Sequence, residues 1–229
     1  MRASYDPELV IQENYVISGD RFHHLAHVVR LDARDHLLLL NGKGLCVVTV
    51  VKLITKKEIH LDFLSQELAE QTLKYDVLIG IPKKDALDLC LKQATELGFR
   101  KILLVRTHYS QNRVPEIERM DNLLVSALEQ SNSPYMPEVL SVELNEVEWD
   151  QYEHILLLDS QTKERQNNDR VSSRKSLLVL GPEGGFSESE LTYLHALKQV
   201  EVQRLSTPIL RTPTALATGA GILLGRLLD

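Results

Sequence analysis

Five short strand-like stretches, most of them apolar throughout, constrain the fold of this chain more than any other feature. They are residues 75–81 (YDVLIGI), 101–107 (KILLVRT), 154–159 (HILLLD), 177–180 (LLVL) and 200–205 (VEVQRL). Continuous apolar strands separated by helices belong to a parallel sheet covered on both faces. One intervening helix reads at 83–97, where Leu87, Cys90, Ala94 and Leu97 share a face and Gly98 ends the run. Another reads at 121–131, ending before Ser133-Pro134. Asp88 and Lys92 have the spacing of a favourable i,i+4 pair on the first of these helices. Residues 162–174 are polar without periodicity and read as a loop.

Residues 1–70 follow a different pattern. Residues 36–41 (HLLLLN) and 45–54 (LCVVTVVKLI) flank Gly42-Lys43-Gly44 and read as two strands joined by a turn. Residues 57–66 alternate apolar Ile59, Leu61 and Phe63 with polar Glu58, His60 and Asp62, the signature of a half-buried strand. A further strand is expected near 15–17, followed by a short helix with Asp20 as N-cap and Phe22, Leu25, Val28 and Val29 on its apolar side. Several strands with one short helix suggest a small β-barrel. The polar run 66–73 (QELAEQTL) then marks a boundary, giving a barrel over 1–70 and an α/β unit over 71–229.

Of the 229 residues, 43% are hydrophobic and 25% charged, the balance of a soluble globular protein. The start, MRASYDPELVIQENY, carries no apolar signal-peptide core, and Arg226 interrupts the C-terminal apolar run, so no membrane span is expected. Cys46 and Cys90 are far apart in apolar contexts and read as buried free thiols of a cytoplasmic protein. A net charge of −6 argues against a nucleic-acid partner on average. Locally, Arg21, Arg30, Arg34, Lys43, Lys52, Lys56 and Lys57 gather early in the chain, which fits equally a basic face or a mixed solvated surface.

Two loops carry the residues with chemical potential. The first is Gly181-Pro182-Glu183-Gly184-Gly185-Phe186-Ser187, followed by a Ser187…Glu190 capping box. Three glycines let backbone N–H groups approach a ligand, but no Gly-Lys-Ser/Thr follows, so this is not a P-loop. A ligand loop and a plain tight turn both fit its composition. In the second loop Thr212 can cap a helix with Pro213 at its first position, placing Arg211 beside the positive helix end. A cation there calls for an anionic neighbour, either a ligand or Glu183. The helix after it contains Ala215, Ala217, Gly219, Ala220, Gly221 and Gly225, and so expects close packing against the sheet or a second subunit. His23 and His27 lie one helical turn apart, yet no third ligand is spaced nearby and no metal site is expected; a histidine beside Arg30 suits an RNA contact better.

These segments resemble the RsmE family, SPOUT-class methyltransferases acting on uridine N3 in 16S ribosomal RNA. The resemblance rests on HHLAHVVRL (23–31), IPKKDALDLCLKQATELG (81–98), ALEQS (127–131), Pro137-Glu138, LLLD (156–159), LGPEGGFS (180–187) and ILRTPTALA (209–217). It implies a SPOUT-type parallel sheet with a C-terminal trefoil knot, preceded by a PUA-like RNA-binding barrel. It further implies a homodimer using S-adenosylmethionine without metal, with 16S rRNA in the small ribosomal subunit as partner. By the same match the donor would contact Leu158, Gly181, Glu183, Gly184, Leu205, Ser206, Leu210 and Thr214. RNA contacts would include His24, Arg30, Lys83 and Lys84, and Arg211 and Glu183 are the catalytic candidates. Glu183 is a base in one version of this expectation and holds the loop or pairs with Arg211 in another. Two departures stand out: Pro213 occupies the position where the family usually has Glu, and Ser206-Thr207 replace a smaller residue. The alternatives are methylation of another RNA site and a ribosome-binding factor without catalysis.

Overall fold

The computed structural model describes residues 1–71, 74–111, 116–160, 162 and 175–227. The chain divides into two compact units, Met1–Gln71 with Leu128–Met136, and Thr72–Ala127 with Pro137–Asp229.

The first unit contains β1 (Arg2–Tyr5), β2 (Asn14–Ser18), α1 (Gly19–His23), β3 (His36–Leu40), β4 (Leu45–Ile54) and β5 (Glu58–Leu68). Its sheet runs β1-β3-β4-β5-β2, with β1 parallel to β3 and the other pairs antiparallel. Register shifts at Val48/Thr49 and Val51/Leu53 mark bulges in β4, and bulges bend a strand and increase its twist. Ile17, Leu25, Leu37, Leu39, Val47, Ile59 and Leu61 fill one core. The neighbouring side chains of β3, Leu38 and Leu40, point the other way into a second cluster with Leu128, which explains why this strand is apolar at every position after His36.

The segment Leu128–Met136, expected from sequence in the second unit, covers that second face. Backbone groups hold it there: Tyr5 N–H donates to Glu129 Oε1 at 2.8 Å, Gly44 N–H to Pro134 O at 2.9 Å and Met136 N–H to Gly42 O at 2.9 Å. The early helix also differs from expectation. It begins at Gly19 (φ +64), so Asp20 lies in its first turn, Ser18 takes the N-cap position without a side-chain cap, and the chain widens into a π-turn over His24–Val28.

The second unit alternates β6 (Lys74–Gly80), α2 (Lys84–Glu96), β7 (Lys101–Val105), α3 (Ile117–Ser131), β8 (Glu138–Val142), β9 (His154–Leu158), β10 (Lys175–Leu180), α4 (Glu188–His195), β11 (Val200–Gln203) and α5 (Thr212–Leu227). Only the first part of α3 belongs to it. Six strands, all parallel, run β11-β9-β10-β6-β7-β8. The sixth, β8, was not legible in sequence; as an edge strand it is only half buried, and EVLSV lacks the apolar run of its neighbours. Residues 163–174, which the sequence reads as part of a loop, lie outside the described residues.

Leu78, Val105, Ile155, Leu157, Leu177 and Val179 pack with Trp149, Tyr152 and Leu194 on one face of the sheet. The other face carries α5, which packs against β9, β10 and α2, with Cys90, Leu91, Ala94, Leu216, Ala220 and Leu223 buried. Gly219 permits this closeness, since a Cβ there would stand 2.7 Å from Leu178 Cδ1 and 3.1 Å from Leu158 Cδ1. Gly221 and Gly225, by contrast, face open space. One buried carboxylate anchors the sheet: Asp76 accepts from Arg100 Nε at 3.0 Å and Nη2 at 2.7 Å, and from the Tyr152 hydroxyl at 2.9 Å. Burial, then the charge of Asp76, pushes the Tyr152 phenol far above its ordinary range. Asp88 pairs with Arg119 of α3. The Asp88–Lys92 pair expected from spacing along α2 is not among the ion pairs of the described residues.

Candidate active site

Three neighbouring parallel strands, β11, β9 and β10, end on one side of the sheet, and a cleft of about 430 Å³ opens beyond their C-terminal ends. This is where open α/β sheets bind ligands. Its walls are the two loops singled out in the sequence, after Leu180 and after Gln203, together with Leu158, Asp159 and Ser160 at the end of β9.

The first loop is held from several directions. Ser187 caps α4, accepting from Glu190 N–H, while Glu190 returns with Oε2 accepting from Ser187 N–H at 2.7 Å. The other oxygen of Glu190 accepts from His108 N–H at 2.8 Å. Beside it Tyr109 packs against Gly184, where a Cβ would come within 2.8 Å of Tyr109 Cβ. A side chain at 184 would therefore force the two loops apart.

Glu183 has an identifiable partner. Both its carboxylate oxygens accept from Lys83 N–H, at 3.1 and 3.3 Å, across 100 positions of sequence. Lys83 is the N-cap residue of α2, so the carboxylate sits at the positive end of that helix. The pairing of Glu183 with Arg211 is absent from the ion pairs among the described residues.

The second loop runs into α5. Arg211 directly precedes the first helical residue, its carbonyl accepting from Ala215 N–H at 2.9 Å. Thr212 is the first residue of the helix, not its cap: it is buried, and its hydroxyl reaches the Gly181 carbonyl at 3.4 Å. Leu210 and Thr212 line the cleft, and Arg211 between them in sequence is exposed and outside the lining.

Of the residues expected to meet a donor, Leu158, Gly181, Glu183, Gly184, Leu205 and Leu210 line this cleft together. Ser206 and Thr214 are exposed and outside the lining, which draws instead on Thr212 and Ala215. The helix period accounts for Thr214, because Thr212 and Ala215, three apart, share a face from which Thr214 is turned away. Asp159, Phe186 and Arg204 also line the cleft without having been singled out. Asp159 ends the stretch HILLLD, and a polar residue closing a buried apolar strand was the available signal for it. Lys83 and Lys84 are exposed at the start of α2. In the first unit, His24 opens the π-turn and Arg30 adopts φ +56, with its carbonyl accepting from Arg2 Nη1 at 3.1 Å. Cys90, behind the loop, is fully buried, and burial together with the nearby charge of Glu183 pushes its thiol up to about 12.

Comparison with known proteins gives this cleft a context. The model of an RNA methyltransferase domain matches residues 69–224, and that of an RNA methyltransferase PUA domain matches residues 17–64. The ribosomal RNA small subunit methyltransferase E of Rickettsia conorii is 30% identical over 210 residues, covering 88% of this chain and 85% of its own. The Borreliella burgdorferi protein named ribosomal RNA small subunit methyltransferase E 2 is 25% identical, covering 89% and 88%. In fold, the chain is similar to the ribosomal RNA small subunit methyltransferase E of Neisseria gonorrhoeae, solved bound to S-adenosyl methionine, with a TM-score of 0.85 at 23% identity over 99% and 98% of the two chains. Given the extent of the domain match and of the Rickettsia alignment, the chain belongs to the ribosomal RNA small subunit methyltransferase E family of RNA methyltransferases.

Proposed function

We propose that this protein methylates N3 of a uridine in 16S ribosomal RNA, with S-adenosylmethionine as donor. The observation that carries this reading is the cleft at the ends of β9, β10 and β11, with the exposed Arg211 lying in sequence between its lining residues Leu210 and Thr212, in a chain of this family. The cleft fits the donor. Its volume is that of a small-molecule site, its walls include Leu158, Phe186 and Leu205 for an apolar ring, and the carboxylate of Asp159 suits a cationic ligand. Among the described residues its lining holds no lysine of the kind a nucleotide-phosphate site uses.

When bound, S-adenosylmethionine supplies an electrophilic methyl group. The protein's task is then alignment of the uracil with it. Uracil N3 gains the methyl group and loses its proton to water, and the donor sulfur keeps the bonding electron pair. Loss of the proton places negative charge on the flanking carbonyl oxygens, and the fixed charge of Arg211 stabilises it. His24, Arg30, Lys83 and Lys84 are exposed cations or donors available to the RNA backbone.

The same reading includes the trefoil knot, supported by the meeting of the 181–186 and 205–212 loops on one cleft. It includes a homodimer, supported by the exposed small residues Ala217, Gly221 and Gly225 of α5, which let a second backbone approach closely. It also includes the assembled small subunit as substrate and a cytoplasmic location; among the described residues no helix is long and apolar enough to cross a membrane.

The test is mass spectrometry of 16S rRNA from cells with and without the gene. Loss of N3-methyluridine upon deletion, restored by the wild-type gene, is the expected result. Loss of a different mark, or an unchanged set of marks with no donor binding by the purified protein, overturns the proposal.

A further inference from the structure

The loop over residues 181–185 is fastened to four other elements of the second unit. Pro182 packs over Gly80 at the end of β6, where a Cβ would meet Pro182 Cδ at 2.5 Å. Gly184 lies against Tyr109 in the turn after β7, and the Gly181 carbonyl accepts from Thr212 at the start of α5. Glu183 supplies the only one of these fastenings made by a carboxylate among the described residues, with both oxygens directed at the Lys83 N–H. The N–H groups of a helix's first turn have no partner within the helix, so an acceptor arriving from elsewhere in the chain satisfies one and meets favourable partial charge.

We infer that Glu183 is a positioning residue, which caps α2 from the donor loop and fixes that loop in its binding shape, and that it is not the base of the reaction. The role toward the donor rests on the function proposed above. The geometry separates the two roles. A general base must aim an oxygen at the proton it removes, whereas both oxygens of Glu183 are directed at the Lys83 N–H, the geometry of a cap. A cap needs only an acceptor, which an amide oxygen also provides. The uracil N3 proton then passes to solvent, and the carboxylate stays where it is through turnover.

The experiment compares Glu183→Gln, Glu183→Asp and Glu183→Ala in the full-length protein. Three readouts are taken: S-adenosylmethionine affinity by calorimetry, hydrogen exchange of the Lys83 amide without donor, and the pH–rate profile on small-subunit RNA. A cap predicts that Glu183→Ala speeds exchange at Lys83 and weakens donor binding about five- to tenfold, the effect of losing one hydrogen bond. Glu183→Asp, one methylene too short, behaves like Glu183→Ala. Glu183→Gln restores protection and affinity to within about twofold and keeps the shape of the pH profile. The inference is overturned if Glu183→Gln lowers kcat about a hundredfold or more at retained donor affinity with an altered pH profile, the behaviour of a lost base. If the wild-type protein binds no donor, the proposed function fails by itself. The Lys83 amide then decides the cap: faster exchange in Glu183→Ala supports it, unchanged exchange overturns it.

Discussion

Glu190 holds His108 through the backbone, its Oε1 accepting from the His108 N–H at 2.8 Å while its Oε2 closes the capping box on Ser187. One carboxylate thereby fixes the start of α4 and the turn that carries Tyr109 against Gly184. Glu190→Ala removes both bonds, which together stabilise the fold by about 1–3 kcal/mol. Thermal unfolding should show that loss, and donor affinity should fall with it because the first loop loses a support. Glu190→Gln retains one acceptor and should lie between wild type and Glu190→Ala; equal behaviour of Gln and Ala would mean that the bond made by the remaining oxygen carries no stability.

Arg211 should separate binding from chemistry. It is exposed and outside the lining of the cleft, so Arg211→Ala should leave donor affinity within about twofold. Turnover at saturating donor should fall about 10²–10³-fold, the usual cost of removing a group that stabilises transition-state charge. Single-turnover methylation paired with calorimetric donor binding measures the two separately. Undiminished turnover would remove Arg211 from the mechanism.

Local chemistry was legible in the sequence and long-range pairing was not. The strand over residues 45–54 was read at the bounds it has, because Gly42 and Gly44 punctuate it and its residues are apolar and β-branched. The capping box at Ser187 and Glu190 was readable because its partners lie three positions apart. By contrast β1 and β8 are stabilised largely by ladders to β3 and β7, and neither RASY nor EVLSV carries a pattern that announces them. The same holds within the site. Both loops and most of the lining are local in sequence, whereas the Glu183–Lys83 bond spans 100 positions and the Glu190–His108 bond 82. Thr212 shows the limit of reading a cap from composition: the hydroxyl that could have capped α5 is turned to Gly181, and only the folded neighbourhood decides between the two.

The buried ion pair of Asp76 and Arg100 should be sensitive to the removal of one partner alone. Asp76 is fully buried, and its carboxylate also accepts from Tyr152. Arg100→Met leaves that carboxylate without its charged partner and should destabilise by about 3–5 kcal/mol. Tyr152→Phe removes only one neutral donor to it and should cost about 1–2 kcal/mol. Urea unfolding of the two variants checks the ordering, which reverses if the Tyr152 bond dominates.

Stability should decline in alkali, and Cys90 should be among the first groups responsible. Burial and the charge of Glu183 raise its thiol from 9.0 to about 12, and burial alone raises the Tyr75 phenol from 10.0 to about 12. Cys46 is raised as well, by burial and then by Glu67. In each case the folded state keeps a proton that the unfolded chain releases at its ordinary value. Their contribution is therefore complete below pH 9 and is lost as pH rises from 9 toward 12. Each group can add a slope of up to about 1.4 kcal/mol per pH unit within its own window. Cys90→Ala removes one thiol from this balance, so unfolding free energy measured by urea titration at pH 8, 9 and 10 should fall less steeply above pH 9 than in the wild type. The variant also loses some packing at every pH, which shifts the whole curve, so the change of slope is the quantity that decides. An unchanged slope would mean that the Cys90 thiolate is accommodated in the folded protein.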